Sequence, residues 1–194
     1  MNPVSHEEFF TLPNMLTLVR VGSIPVLVAL LYIKGPLWSW LAGLVFCASG
    51  LTDLLDGWLA RKMKKDSRMG RFLDPLADKL LISSILVMLV ALHKVPAWMA
   101  VLIICREIAV TGLRAIAASQ GFTLPSDMWG KSKTMVQMVG IFLLIIPRPM
   151  AGLDTQAAGL MIMWAALIIT AWSGLAYILR FRRQLMGWSS DDQL

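Results

Sequence analysis

The stretch DLLDGWLARKMKKDSRMGRFLDPLADK, residues 53–79, holds four aspartates at helical offsets: Asp53 and Asp56 three apart, Asp74 and Asp78 four apart. On helices, each spacing puts its pair on one face. Gly57 and Ala60 continue the first face, and Gly70 and Ala77 lie near the second. Such small residues let another helix or a ligand approach closely. Four carboxylates drawn together repel unless they are protonated or neutralised. A hard divalent cation neutralises them, and oxygen-only donors suit Mg²⁺, Mn²⁺ or Ca²⁺. No His or Cys stands nearby to suggest zinc. Four carboxylates can hold two ions, an arrangement suited to clamping a pyrophosphate. Pairing with the surrounding Lys and Arg in a solvated loop would explain a single aspartate better than it explains the whole pattern.

The elements that must position these residues are apolar. The chain has 194 residues, 57% of them hydrophobic, and a mean hydropathy of +0.68, against about 45–50% apolar for a soluble domain. A span needs about 20 mostly apolar residues. The sequence predicts six, at roughly 16–33, 37–60, 72–92, 95–118, 129–147 and 157–180. Gly35-Pro36, Pro96, Gly121 to Pro125 and Pro147 to Pro149 supply the breaks. Sheet is excluded because the runs are too long and continuous for barrel strands. The expected fold is therefore all-α and integral to a membrane: a six-helix bundle in one domain, residues 1–194. HEEFFTL, at 6–12, is expected to form a short interfacial helix. The N-terminus has no basic n-region and does not read as a signal peptide. Cys47 and Cys105 lie in apolar runs and read as small buried hydrophobes.

Basic residues orient the bundle. Arg61, Lys62, Lys64, Lys65, Arg68 and Arg71 lie between the second and third spans, Lys131 and Lys133 open the fifth, and Arg180, Arg182 and Arg183 follow the sixth. The opposite face has Lys34, Lys94 and Arg148. The positive-inside rule then puts both termini and the aspartates on the cytoplasmic side of the cell's inner membrane. The net charge of +6 reads as this loop asymmetry and not as nucleic-acid binding. Lys62, Lys64, Lys65 and Lys79 are assigned to topology or contact with anionic lipid.

A second constellation lies further on. Arg106 and Glu107 fall within the fourth span, and Arg114 is eight residues on, two turns later on the same face. A cation inside a span faces protein or a water-filled cavity. Together with Lys131 and Lys133, these arginines suggest a site for an anion, most simply a phosphate. The alternative pairs Arg106 with Glu107 or Asp127 and lets the lysines snorkel to the headgroups.

The aspartate stretch reads D-x2-D-G-x2-A-R-x8-G-x3-D-x3-D, and in this it resembles the signature of the CDP-alcohol phosphotransferase family, with every element present. The resemblance extends over most of the chain, in length and in the six spans. It implies that Asp53, Asp56, Asp74 and Asp78 bind a pair of divalent ions, Mg²⁺ or Mn²⁺, with Asp78 also the general base. It implies that Gly57, Ala60, Arg61 and Gly70 line the site of a CDP-linked donor. PNMLTLVR, REIAVTGLR and GKSKT resemble segments of the branch of the family that uses glycerol 3-phosphate. On that likeness Asn14, Thr17 and Arg20 assist near the donor, while Arg106, Arg114, Lys131 and Lys133 hold the acceptor's phosphate. The implied reaction moves a phosphatidyl group from CDP-diacylglycerol to glycerol 3-phosphate, in a membrane enzyme that is a homodimer. Other acceptors of the same chemistry are inositol phosphate, phosphatidylglycerol and serine. A cation transporter would need acidic residues along a path, and the first, third, fifth and sixth spans carry none at their centres.

Overall fold

Proline and glycine punctuate several of the apolar runs, as at Gly35-Pro36, Pro96 and Pro147, each at or near a helix end. The computed structural model describes residues 12–63, 68–119, 128–147, 152 and 154–185, with side chains described except at 12–14, 16, 53–63, 68–75, 128–133, 180, 181 and 183–185. These residues form six helices: α1 (Leu12–Tyr32), α2 (Pro36–Met63), α3 (Arg68–Ala91), α4 (Ala97–Ser119), α5 (Met128–Ile145) and α6 (Thr155–Leu185). The expected all-helical class and the order of the helices hold. The segment expected to form an interfacial helix, 6–12, lies outside the described residues apart from Leu12, which opens α1.

Each connection has a local cause. Gly35 takes φ 139°, in the region that favours glycine, and Pro36 then opens α2 with its φ already helical. After α3 the chain turns through His93 at φ 55°, and the Lys94 N–H closes the turn on the Leu89 carbonyl at 2.8 Å. Asp154 caps α6: its Oδ1 accepts from the Gln156 and Ala157 amides at 3.0 and 3.3 Å, satisfying two of the orphan donors at a helix start. Lys94 Nζ donates to the Leu144 carbonyl at 2.6 Å at the end of α5, and Gln156 Nε2 donates to the Lys94 carbonyl at 2.7 Å. The α3–α4 turn is thereby tied to the α5–α6 connection.

The helices pack through apolar faces. α5 lies along α6, α1 lies against both α2 and α3, and α4 touches α3 and α6. Leu27, Phe46, Leu81, Ile85, Leu86, Leu89, Met99, Ile103, Ile141, Leu144 and Met163 form one buried cluster. The α5–α6 approach depends on Gly159, where an added Cβ would fall 2.8 Å from Leu144 Cγ and 3.2 Å from the Gly140 carbonyl oxygen. α1 meets α2 through a polar contact as well: the hydroxyls of Ser23 and Ser49 lie 2.9 Å apart.

The outer surface is also apolar. Val19, Leu44, Val87, Ile108, Ile168 and Trp172 are all exposed. Among the described residues one helical run, Thr155–Leu179, is both long and apolar enough to cross a membrane, and Thr17–Tyr32, Pro36–Thr52 and Thr134–Ile145 are apolar but shorter. Charge placed within the helices interrupts the longer runs: Arg20 in α1, Asp53 and Asp56 in α2, and Arg106, Glu107 and Arg114 in α4.

Candidate active site

Asp78 lies one helical turn after Asp74 on α3, and its carboxylate borders a narrow pocket between α3, α4 and α5. Lys79, Glu107, Thr134 and Gln137 supply the pocket's other long polar side chains, and Ile82, Ile103 and Ile104 supply apolar wall. Consecutive helical residues point about 100° apart, so Lys79 must curl its stem back to reach its neighbour. It does so: Nζ lies 3.0 Å from Asp78 Oδ2 and 2.9 Å from Glu107 Oε2. Lys79 therefore bridges α3 to α4 at the pocket. Its assignment to topology or lipid contact does not describe this position, because two carboxylates hold its charge inward.

The chain of charges continues behind the pocket. Glu107 is 6% exposed, and its Oε1 accepts from Arg106 Nη1 at 3.3 Å. Arg106 is turned toward α6, where Nε donates to the Thr170 carbonyl at 3.1 Å and Nη2 to Ser173 Oγ at 2.7 Å. Gly174 makes this possible: a Cβ there would stand 3.2 Å from Arg106 Cγ and 3.3 Å from Nε. Two turns on, the Arg114 guanidinium carbon sits 5.4 Å from the ring centroid of Tyr177, within the range of a cation–π contact. Asp78, Lys79, Glu107 and Arg106 thus alternate in sign from the α3 carboxylate to the α4–α6 interface. Each of these partly buried charges has an opposite partner, the condition under which burial is tolerated.

The other expected residues fall as follows. Arg106 and Arg114 both approach α6. Thr17 and Arg20 are each 1% exposed on α1, three positions apart and so on one face. Asp53, Asp56, Gly57, Ala60 and Arg61 lie on α2, Gly70 and Asp74 on α3, Asn14 on α1, and Lys131 and Lys133 on α5. The side chains of these ten lie outside the described residues. Thr134, Gln137, Thr170, Ser173 and Tyr177 were not singled out in the sequence. A signal was available: polar residues three and four apart inside the apolar runs of α5 and α6, which mark a face turned toward protein.

The chain is thus all-helical in its described residues, with its motif aspartates on α2 and α3 and Asp78 opening onto a pocket behind which Glu107 holds the half-buried Arg106. The chain belongs to the CDP-alcohol phosphatidyltransferase family, whose model matches residues 10–172. It is 36% identical over 183 residues to a CDP-diacylglycerol–glycerol-3-phosphate 3-phosphatidyltransferase of Bacillus subtilis, covering 87% of this chain and 93% of the relative. It is 37% identical over 179 residues to a probable phosphatidylglycerophosphate synthase of Mycobacterium tuberculosis, covering 91% and 84%. A relative in Arabidopsis thaliana, CDP-diacylglycerol–glycerol-3-phosphate 3-phosphatidyltransferase 2, is 35% identical over 194 residues, covering 92% and 83%.

Proposed function

We propose that this protein transfers the phosphatidyl group of CDP-diacylglycerol to sn-glycerol 3-phosphate, giving phosphatidylglycerol phosphate and CMP. The observation that carries this reading is near full-length likeness to relatives named for that reaction, from bacteria and a plant. The polar residues around Asp78 support it.

The donor's acyl chains require a bilayer and its nucleotide requires water, so the chemistry belongs at a membrane edge. The apolar outer surface, the span-length run in α6 and the apolar stretches of α1, α2 and α5 support a single multi-pass membrane domain of six helices. The excess of Lys and Arg between α2 and α3 favours a cytoplasmic active site. The homodimer implied by the family likeness is carried forward as part of the proposal.

Asp78 is the proposed general base. Its carboxylate takes the proton of the acceptor hydroxyl, whose oxygen attacks the phosphorus bearing the diacylglycerol, and the bond from that phosphorus to CMP breaks. Lys79 fixes the carboxylate without protonating the acceptor, since its ammonium is shared with Glu107. The donor set fits Mg²⁺ or Mn²⁺: Asp53, Asp56, Asp74 and Asp78 are all hard oxygen ligands. Bound divalent ions would neutralise the pyrophosphate and the charge that develops on it. Gly57, Ala60, Arg61, Gly70, Asn14, Thr17 and Arg20 are proposed to line the CDP end of the donor.

Arg106, Arg114, Lys131 and Lys133 are proposed to hold the acceptor's phosphate. Arg106 has five N–H donors, of which three are taken by Glu107, Thr170 and Ser173, leaving two for an anion. The test is initial-rate kinetics of the purified protein in CDP-diacylglycerol micelles with Mg²⁺ and a panel of acceptors. Glycerol 3-phosphate should be used, and glycerol, serine and inositol phosphate should not. Equal use of any of these would reduce the reading to the family's shared chemistry.

A further inference from the structure

We infer that Gln137 reads the second hydroxyl of the acceptor. This rests on the glycerol 3-phosphate reading above and names the residue that selects within that site. Gln137 is 3% exposed on α5 and lines the pocket that Asp78 borders. Its Nε2 is buried and makes no hydrogen bond to any described residue. Two of its charged neighbours are already held by others: Lys79 by Asp78 and Glu107, and Glu107 by Lys79 and Arg106.

An unpaired buried amide destabilises a protein, and apolar wall from Ile82, Ile103 and Ile104 makes the site still less favourable for a lone donor. No described residue supplies a partner for that N–H₂, and a ligand entering through the pocket that Gln137 lines takes that place. The ligand whose reacting hydroxyl meets Asp78 carries a hydroxyl on the adjoining carbon. That oxygen is an acceptor of the right chemistry on the right molecule. A site built to hydrogen-bond a substrate hydroxyl discriminates strongly against the analogue that lacks it. Gln137 thus makes the pocket select a vicinal diol phosphate over a simple alcohol phosphate.

The test compares glycerol 3-phosphate with 3-hydroxypropyl phosphate, which keeps the reacting hydroxyl and the phosphate and lacks the central hydroxyl. The wild-type protein should favour glycerol 3-phosphate in kcat/KM by about 10–100-fold, the effect of one buried hydrogen bond with its partner left unpaired. Gln137→Leu should lose that same factor on glycerol 3-phosphate and keep its rate on the deoxy analogue. The KM for CDP-diacylglycerol should be unchanged, and the thermal midpoint without substrate should not fall, because an unpaired amide has been removed. Gln137→Met provides the same comparison if the branched leucine does not fold. A variant that keeps the wild-type preference, or that loses both acceptors equally, overturns the inference. Failure of the underlying reading shows earlier and separately: a wild-type protein that ignores both phosphates and uses another acceptor overturns the acceptor assignment, and this inference with it.

Discussion

Lys79 shows how much a single side chain can carry at a membrane-edge site. The four charges in the line from Asp78 to Arg106 are each a quarter exposed or less at the side chain, and Lys79 touches two of the other three. Lys79→Met should lower stability by about 1–3 kcal/mol, since the charges it leaves behind are only partly exposed. It should also lower turnover by freeing the Asp78 carboxylate to rotate. Lys79→Arg should recover most of the stability. Thermal midpoints and kcat measured on the same preparations check both effects, and a Lys79→Met protein with wild-type values for each would remove Lys79 from the site. Arg106→Ala should raise the KM for glycerol 3-phosphate by roughly 30-fold or more, the size expected for loss of one partner of a largely desolvated charge pair, and Arg114→Ala, at an exposed residue, should raise it by less. The KM for CDP-diacylglycerol should move much less. The aspartate pattern was legible in the sequence because helical spacing and small neighbours are local properties. The Lys79 bridge was not, because it depends on which residue of α4 faces α3. Gln137 and Thr134 were half legible: their three-residue spacing marks a face of α5 turned toward protein, but only the pocket shared with α3 and α4 gives that face its neighbours.

At the scale of the element, close approach between helices is the variable that the glycines control. Gly159 and Gly112 make a controlled pair. Gly159 has Leu144 Cγ 2.8 Å from where a Cβ would be, while Gly112 has nothing within 4 Å. Gly159→Val should destabilise by about 1–3 kcal/mol through overpacking of α5 against α6. Gly112→Ala should stabilise by about 0.5–1 kcal/mol through helix propensity alone. Denaturation of the two variants in the same detergent checks the contrast, and equal effects would show that the α5–α6 contact is loose. The helix order was readable in the sequence because Gly and Pro act locally. The ends were less so. The apolar run stops near residue 180, yet α6 continues to Leu185, because Arg182, Arg183 and Gln184 are good helix formers that an apolar count ignores. Likewise α1 continues through Pro25, a residue that removes one helical donor, while its neighbour Ser23 donates its hydroxyl to the Arg20 carbonyl at 2.7 Å.

For the whole molecule, the arrangement of charge is what the proposed cytoplasmic orientation rests on. A cysteine replacing Lys64 should be labelled by an impermeant thiol reagent only from the cytoplasm, and one replacing Lys34 only from outside, in a background with Cys47 and Cys105 replaced by alanine. The reverse pattern would overturn both the orientation and the route by which a soluble phosphate reaches Asp78. The six-helix, all-α class of the molecule was legible from its long apolar runs, while one of those runs, Thr155–Leu179, has the length and hydropathy of a membrane span among the described residues. Its acceptor was legible through the likeness of PNMLTLVR, REIAVTGLR and GKSKT to the branch that uses glycerol 3-phosphate, and relatives over most of the chain are named for that acceptor.

The transfer itself is tested most directly by following the acceptor's phosphate. Purified protein is given CDP-diacylglycerol, Mg²⁺ and glycerol 3-phosphate labelled at phosphorus, and the label is measured in the lipid phase beside released CMP. The proposed reaction predicts one labelled phosphate in lipid for each CMP released, and none of either in saturating chelator. Label that stays in the aqueous phase while CMP is formed, or transfer that persists undiminished in chelator, would contradict it.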